Sequence, residues 1–353
     1  MQKTADQVYG QIKDGIKPVG DAPAQENRGA LVGSGGQTPL KLVLENIGPI
    51  KSAEIELGRV TVLYGPNAAG KTFIAKSLKL MFSLLGDIRI GCDKLIEGVR
   101  YGADVGRIAF KDYVVEITRA GDYKKAGMVI KKGGEVLYSG ECTGGYFSTG
   151  LNVANDVILW VGGGAVNIYG AGIDDYAITE DHLLSPYVTR FISKCGGDCA
   201  QAIGDYVIYM ISVNDIIESV TNGRIEYPPG ELMYFFDGEH YYYFDAVSLG
   251  IKRVAVMAGA IVLAEKMAAL GKEPVVFIEN IEDTLHVDYL KSMLDVISTT
   301  NVPVIIETHS GFVLRYAASK ESEGWRAYVV QDGAVTSDLT KVETFKHEVD
   351  LLR

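Results

Sequence analysis

Hydrophobic and polar positions follow a strong pattern only from residue 40 onward. KLVLENI and the alternation in SAEIEL predict two half-buried strands, and RVTVLY a third, apolar enough to be buried on both faces. KTFIAKSLKLMFSLL carries apolar residues at helical spacing without a breaker, so a helix is expected from Lys71. RIAFKDYVVEITR, AGMVIKK and GEVLYSG alternate between glycine-containing turns, which predicts an antiparallel meander. In ELMYFFDGEHYYYF, Asp237-Gly238 predicts a two-residue hairpin turn between aromatic strands. A long helix over VAVMAGAIVLAEKMAAL then leads to strand PVVFIE, a helix, strand VPVIIE, a helix, strand WRAYVV and a final amphipathic helix. That alternation implies parallel βα units.

These elements predict an α/β fold: a mostly parallel sheet with an antiparallel β subdomain and a helical subdomain. Residues 1–38 are rich in Gly, Pro and polar positions and read as a flexible extension. One domain should fill 39–353, divided into a first lobe over about 39–145, a variable helical insertion over about 146–230, and a last lobe over about 231–353.

Composition is ordinary for a globular chain of 353 residues, at 47% hydrophobic and 22% charged, so a sizeable core needs no metal or disulfide to hold it. The net charge of -11 repels phosphate backbones at long range, and charge therefore gives no indication of nucleic-acid binding. Lys124, Lys125, Lys131 and Lys132 read as solvated turn residues, and Tyr241 and Tyr243 as strand packing rather than base-stacking platforms. Cys195 and Cys199 offer too few ligands for zinc; free thiols are expected, with a disulfide as the special case of a hyperthermophilic source. The start of the chain has no secretory pattern. The longest uncharged stretch, 157–173, is glycine-rich and shorter than a membrane helix, so a cytoplasmic protein without membrane insertion is expected.

The strongest chemical signal is Gly65-Pro66-Asn67-Ala68-Ala69-Gly70-Lys71-Thr72, a complete phosphate-binding loop between a predicted buried strand and a predicted helix. Its glycines let successive N–H groups and the helix N-terminus face phosphates. Lys71 would then meet the β and γ phosphates of ATP, and the Thr72 hydroxyl would ligate Mg2+. Strand PVVFIE delivers Glu279 to the same edge as a second metal-side residue, and the next strand delivers His309.

With Ser248-Leu249-Gly250-Ile251-Lys252-Arg253 opening the long helix, the order of motifs resembles the ABC class of P-loop ATPases. ENIGPI, GPNAAGKT, SLG, FIENIEDTLH and THS together are most similar to its non-transporter branch of RecF, SMC heads and OLD-like standalone ATPases. The resemblance spans about residues 40 to 310. It implies an ATP-dependent homodimer in which Ser248 and Gly250 of one copy complete the nucleotide site of the other. It also implies slow ATP hydrolysis and control of a separate effector protein, in a DNA-related or defence setting.

The chain departs from that class at several points, among them His286, where transporter ATPases usually carry the D-loop aspartate. Asn280 stands where its catalytic glutamate follows the metal acid, and an amide accepts no proton at neutral pH. Glu282 is the nearest replacement base, with His309 assisting, and no Q-loop glutamine is evident. No long heptad array or appended domain is evident either. A nucleotide-binding regulatory module without turnover and the ATPase subunit of a membrane transporter are the alternative readings.

Overall fold

The computed structural model describes residues 40–120, 125–170, 173–185, 188, 199–227 and 232–339. The expected N-terminal extension, Lys124, Cys195 and the final helix lie outside them.

Along the chain, β1 (Leu40–Ile47), β2 (Ile50–Leu57) and β3 (Val60–Tyr64) precede the phosphate-loop helix α1 (Lys71–Leu85), as the pattern predicts. All five residues of β3 are buried, whereas β2 alternates, burying Ala53, Ile55 and Leu57 around exposed Glu54 and Glu56. A short β4 (Ile90–Gly91) and α2 (Cys92–Gly98) lead into the meander of β5 (Val105–Phe110), β6 (Tyr113–Ala120), β7 (Lys125–Lys132) and β8 (Glu135–Cys142). Lys111, at φ 54°, makes the turn that divides RIAFKDYVVEITR into two strands.

The region expected to be a helical insertion is strand in its first half. After β9 (Tyr146–Phe147) come β10 (Asp156–Gly162), β11 (Ala165–Gly170) and β12 (Ile173–Thr179), followed by a short α3 (Glu180–Leu183) and then α4 (Cys199–Thr221). Gly162 pairs with Ala165, so Gly163 and Gly164, at φ 57° and 77°, form the two-residue turn that joins β10 to β11. The glycines that exclude a membrane helix here are hairpin glycines.

A separate small sheet holds β13 (Arg224–Glu226), β14 (Tyr234–Phe236) and β15 (Tyr241–Tyr243). Its aromatic hairpin is as expected, but the turn is longer. Phe236 pairs with Tyr241, leaving four residues in the loop, and the Asp237 carboxylate accepts from the amides of Glu239 and His240 at 2.9 and 2.7 Å. Only Gly238 of the expected pair has positive φ. Tyr241 stacks on Phe236 at 4.6 Å and Tyr243 lies against Tyr234 at 5.1 Å, so these rings pack on their own strands. The remainder follows the predicted order: α5 (Leu249–Ala269), β16 (Glu273–Ile278), α6 (Val287–Ile297), β17 (Val304–Thr308), α7 (Gly311–Ser319), β18 (Trp325–Gln331) and β19 (Ala334–Thr336).

Among the described residues one large mixed sheet runs β12-β11-β10-β16-β17-β3-β18-β19-β2-β1-β5-β6-β7-β8. The five strands from β10 to β18 are parallel, and the meander continues this sheet through a single β19–β2 bridge. Alternate residues of the parallel strands enter opposite cores. Val60, Val62, Val276, Ile278, Val304 and Ile306 face the side covered by α4, α5 and α6. Leu63, Val275, Phe277 and Ile305 face α1 and the meander. Period-2 alternation thus decides which face each residue just past a strand end serves. Cys92 and Cys142, distant in sequence, form a disulfide between α2 and β8, a pairing that spacing alone did not reveal. No helix among the described residues is long and apolar enough to cross a membrane.

Candidate functional site

The loop after β3 is shaped by close backbone approach. Gly65 has φ 156°, and a Cβ there would lie 2.2 Å from the Val330 carbonyl oxygen; at Gly70, φ 110°, it would lie 2.7 Å from the Ile50 side chain. Larger residues would push this loop off the sheet edge. Ala68 also takes a left-handed conformation, at φ 62°. Gly70 caps α1 and accepts from Phe73 N at 3.0 Å, while the Lys71 and Thr72 amides ahead of it have no carbonyl one turn back and present an anion-binding end.

Lys71 is buried, its ammonium donating to the carbonyls of Gly65 and Pro66 at 2.9 and 3.0 Å. An imidazole nitrogen of His309 lies 3.3 Å away, and since an ammonium only donates, that nitrogen accepts. Glu307 completes the cluster. Its carboxylate accepts from Thr72 Oγ1 at 3.0 and 3.1 Å and lies 3.7 Å from Lys71 Nζ. Burial pulls the Lys71 ammonium below the ordinary lysine value, against the attraction of Glu307 and Glu282. Burial likewise pushes the Glu307 carboxyl up, while Lys71 and Thr72 oppose. Both shifts point toward neutrality, as expected where desolvation exceeds the attraction within a buried pair.

The loop after β16 supplies the other acids. Glu279 N donates to Val161 O at 3.0 Å, and its carboxylate accepts from Trp160 Nε1 at 3.1 Å. Asn280 sits at φ 43°, and its buried Oδ1 accepts from no protein group among the described residues. Glu282 spans the gap to β17: one oxygen accepts from Thr308 Oγ1 at 2.8 Å, the other from His309 N at 2.6 Å. Ile281 N donates to Glu307 O at 3.1 Å, tying the two strand ends together. Glu282 thus holds the segment that carries His309.

Ser248 caps α5 and is exposed, while Gly250 is buried, and a Cβ there would lie a tight 3.0 Å from the Thr284 carbonyl oxygen. Neither makes a hydrogen bond to the phosphate loop among the described residues. Arg253, in the second turn of α5, donates to the carbonyl oxygens of Glu279 and Asn280, so that helix is fastened to the acidic loop. Lys71, Thr72, His309, Glu279, Asn280 and Glu282 therefore gather on one sheet edge, and Ser248 and Gly250 stand outside the cluster. Sequence reasoning missed Glu307, Trp160, Thr308 and Arg253. Glu307 had a legible signal, an acid two residues before the strand-end histidine; Trp160 had none, because its own strand β10 was not recognised.

The donors fit a nucleoside triphosphate with a hard divalent cation: a helix N-terminus, a buried ammonium, a hydroxyl, carboxylates and the orphaned Asn280 oxygen, all hard ligands or anion partners.

No protein-family model matches the chain, and no curated protein matches it in sequence. Solved structures do match in fold. An SMC head bound to the C-winged helix domain of ScpA superposes with a TM-score of 0.54, at 13% identity over 85% of this chain and 96% of that one. The SMC head of Thermotoga maritima gives 0.45 at 14% identity, covering 85% and 98%. The recombination mediator RecF with ATP gives 0.43 at 14% identity, covering 84% and 97%. The chain has the SMC-head fold.

Proposed function

We propose, from the premise of an SMC-head fold with this cluster at its phosphate loop, that the protein binds Mg-ATP and closes head to head on a second copy. The observation that carries the reading is convergence: Lys71 and Thr72 of α1 meet Glu307 and His309 at the end of β17, up to 238 positions away, at the C-terminal edge of the parallel strands. Backbone N–H groups of the loop between Gly65 and Thr72, where Pro66 has none to give, would hold the triphosphate, and the Lys71 ammonium would turn from the Gly65 and Pro66 carbonyls to the β and γ phosphates. Thr72 would ligate magnesium, with carboxylate support from the strand ends, Glu279 among them. The cation supplies charge neutralisation at the phosphates. Exposed Ser248 at the start of α5 is free to meet the nucleotide of a partner copy, and Gly250 lets that helix end approach closely.

Turnover is expected to be slow, because Asn280 holds the place where a base would face the attacking water. Glu282, with His309 assisting, is the base proposed in its place. The same asparagine favours a second reading, a regulatory head that binds ATP without hydrolysing it; phosphate release from purified protein separates the two. A separate effector protein is inferred for either reading, in keeping with an SMC head that is found bound to the C-winged helix domain of ScpA.

Lys71→Ala tests the central claim. Nucleotide binding and ATP-dependent dimerisation, followed by fluorescence and light scattering, should both be lost. A variant that dimerises with ATP as the wild type does would refute the sandwich.

A further inference from the structure

We propose that Glu307, on the switch strand β17, is the carboxylate that completes the cation site at Thr72, and that Glu279 has a supporting role from the next strand out. The inference rests on the Mg-ATP reading above and deepens it by naming the acid.

Topology makes the first argument. β17 lies beside the phosphate-loop strand, with Glu307 opposite Leu63 and Thr308 opposite Tyr64, whereas β16 is the next strand beyond. Strands are spaced about 4.8 Å apart, so the end of β16 starts roughly 10 Å from the end of β3. Alternation makes the second. Ile305 enters the core under α1, so Glu307, two residues on, points to the same face as the first turn of α1. Thr308 takes the opposite face with Ile306, where it binds Glu282 instead. Phe277 places Glu279 on the α1 face as well, but there it is held by Trp160 Nε1 and covers Gly162, where a Cβ would come within 2.5 Å of its carboxylate.

The third argument is chemical. A hydroxyl has one proton and two lone pairs. Thr72 gives its proton to Glu307, which leaves its lone pairs directed away from that carboxylate, toward the space a cation would take. Glu307 is also the acid nearest the Lys71 ammonium, at 3.7 Å. With that ammonium turned to phosphate, Glu307 would be left beside Thr72 without its positive partner and would hold a divalent cation there. Glu307 would thus do from β17 what the sequence motif assigned to Glu279 after β16.

The test titrates a fluorescent ATP analogue into the full chain with Mg2+ and with EDTA. Glu307→Gln should keep metal-free binding and lose the Mg-dependent gain in affinity by about 10- to 100-fold, the usual effect of removing such a carboxylate. Glu279→Gln should lose less, and Glu307→Asp, which keeps the charge on a shorter arm, should restore some of the gain. Undiminished Mg dependence in Glu307→Gln, a larger loss in Glu279→Gln, or an Asp variant no better than Gln would each overturn the assignment while leaving nucleotide binding in place. Wild-type protein that binds no analogue would overturn the nucleotide reading itself, and this assignment with it.

Discussion

Trp160 Nε1 donates a hydrogen bond to Glu279 Oε2, joining the end of β10 to the acidic loop after β16. The two strands run parallel in register, Trp160 opposite Phe277, and the rings meet edge to face at 4.5 Å. The indole therefore senses the acidic loop directly. Trp325, the other tryptophan, is fully buried at the far end of β18.

Trp160→Phe keeps the ring packing and removes the donor. It should cost about 1 kcal/mol of stability, the net worth of one hydrogen bond. Intrinsic fluorescence should change when Mg-ATP is added to the wild type and to Trp325→Phe, and the change should vanish in Trp160→Phe. A response that survives in Trp160→Phe would place the moving loop elsewhere.

Asn280→Glu supplies a carboxylate where the base is missing. Phosphate release should rise if the lack of that base limits turnover. The left-handed backbone at residue 280 suits asparagine, so the substitution should also lower stability by about 1 kcal/mol. An unchanged or lower rate would instead favour Glu282 or another base.

Lys111, in the β5–β6 turn, pairs with Asp156 at 2.7 Å and with Glu273, which stand opposite each other at the starts of β10 and β16. Burial pushes the Asp156 carboxyl up while Lys111 opposes. For Lys111 itself burial acts downward, but the two carboxylates outweigh it and raise the ammonium. Lys111→Met should destabilise the protein by about 2–3 kcal/mol at neutral pH, the low side for breaking a buried pair because the lysine keeps some water contact. An acid whose folded pKa is raised loses its stabilising contribution as pH climbs through that value. Asp156 should rise further once Lys111 is gone, so the gap in melting temperature between wild type and variant should narrow as pH falls. A gap independent of pH would mean that packing alone is lost.

The Cys92–Cys142 bond closes a loop of 50 residues' separation and pins α2 to the end of the meander. Chain-entropy arguments assign such a link about 4 kcal/mol. Reductant, or the Cys92→Ser and Cys142→Ser pair, should lower the melting temperature of the oxidised protein, and Cys195→Ser should not. Equal melting with and without reductant would show that the link contributes nothing under those conditions.

The local pattern of the chain by itself determined the phosphate loop and its helix, the meander, and the strand–helix alternation after residue 270. Each depends on interactions within a few residues, such as the apolar spacing of Lys71–Leu85 or the alternation of Ala53, Ile55 and Leu57. It also placed Glu279, Asn280 and His309 at strand ends, because a strand followed by a helix fixes where its last residues emerge.

Strand order belonged to the tertiary structure alone. Nothing local says that β17 lies between β16 and β3, and that order puts Glu307 rather than Glu279 within reach of Thr72. Nor could β10–β12 be read where glycine turns broke the pattern, so Trp160 and its bond to Glu279 stayed hidden until the fold joined residues 119 positions apart. Contacts of that range depend on packing across the sheet, which no window of sequence contains.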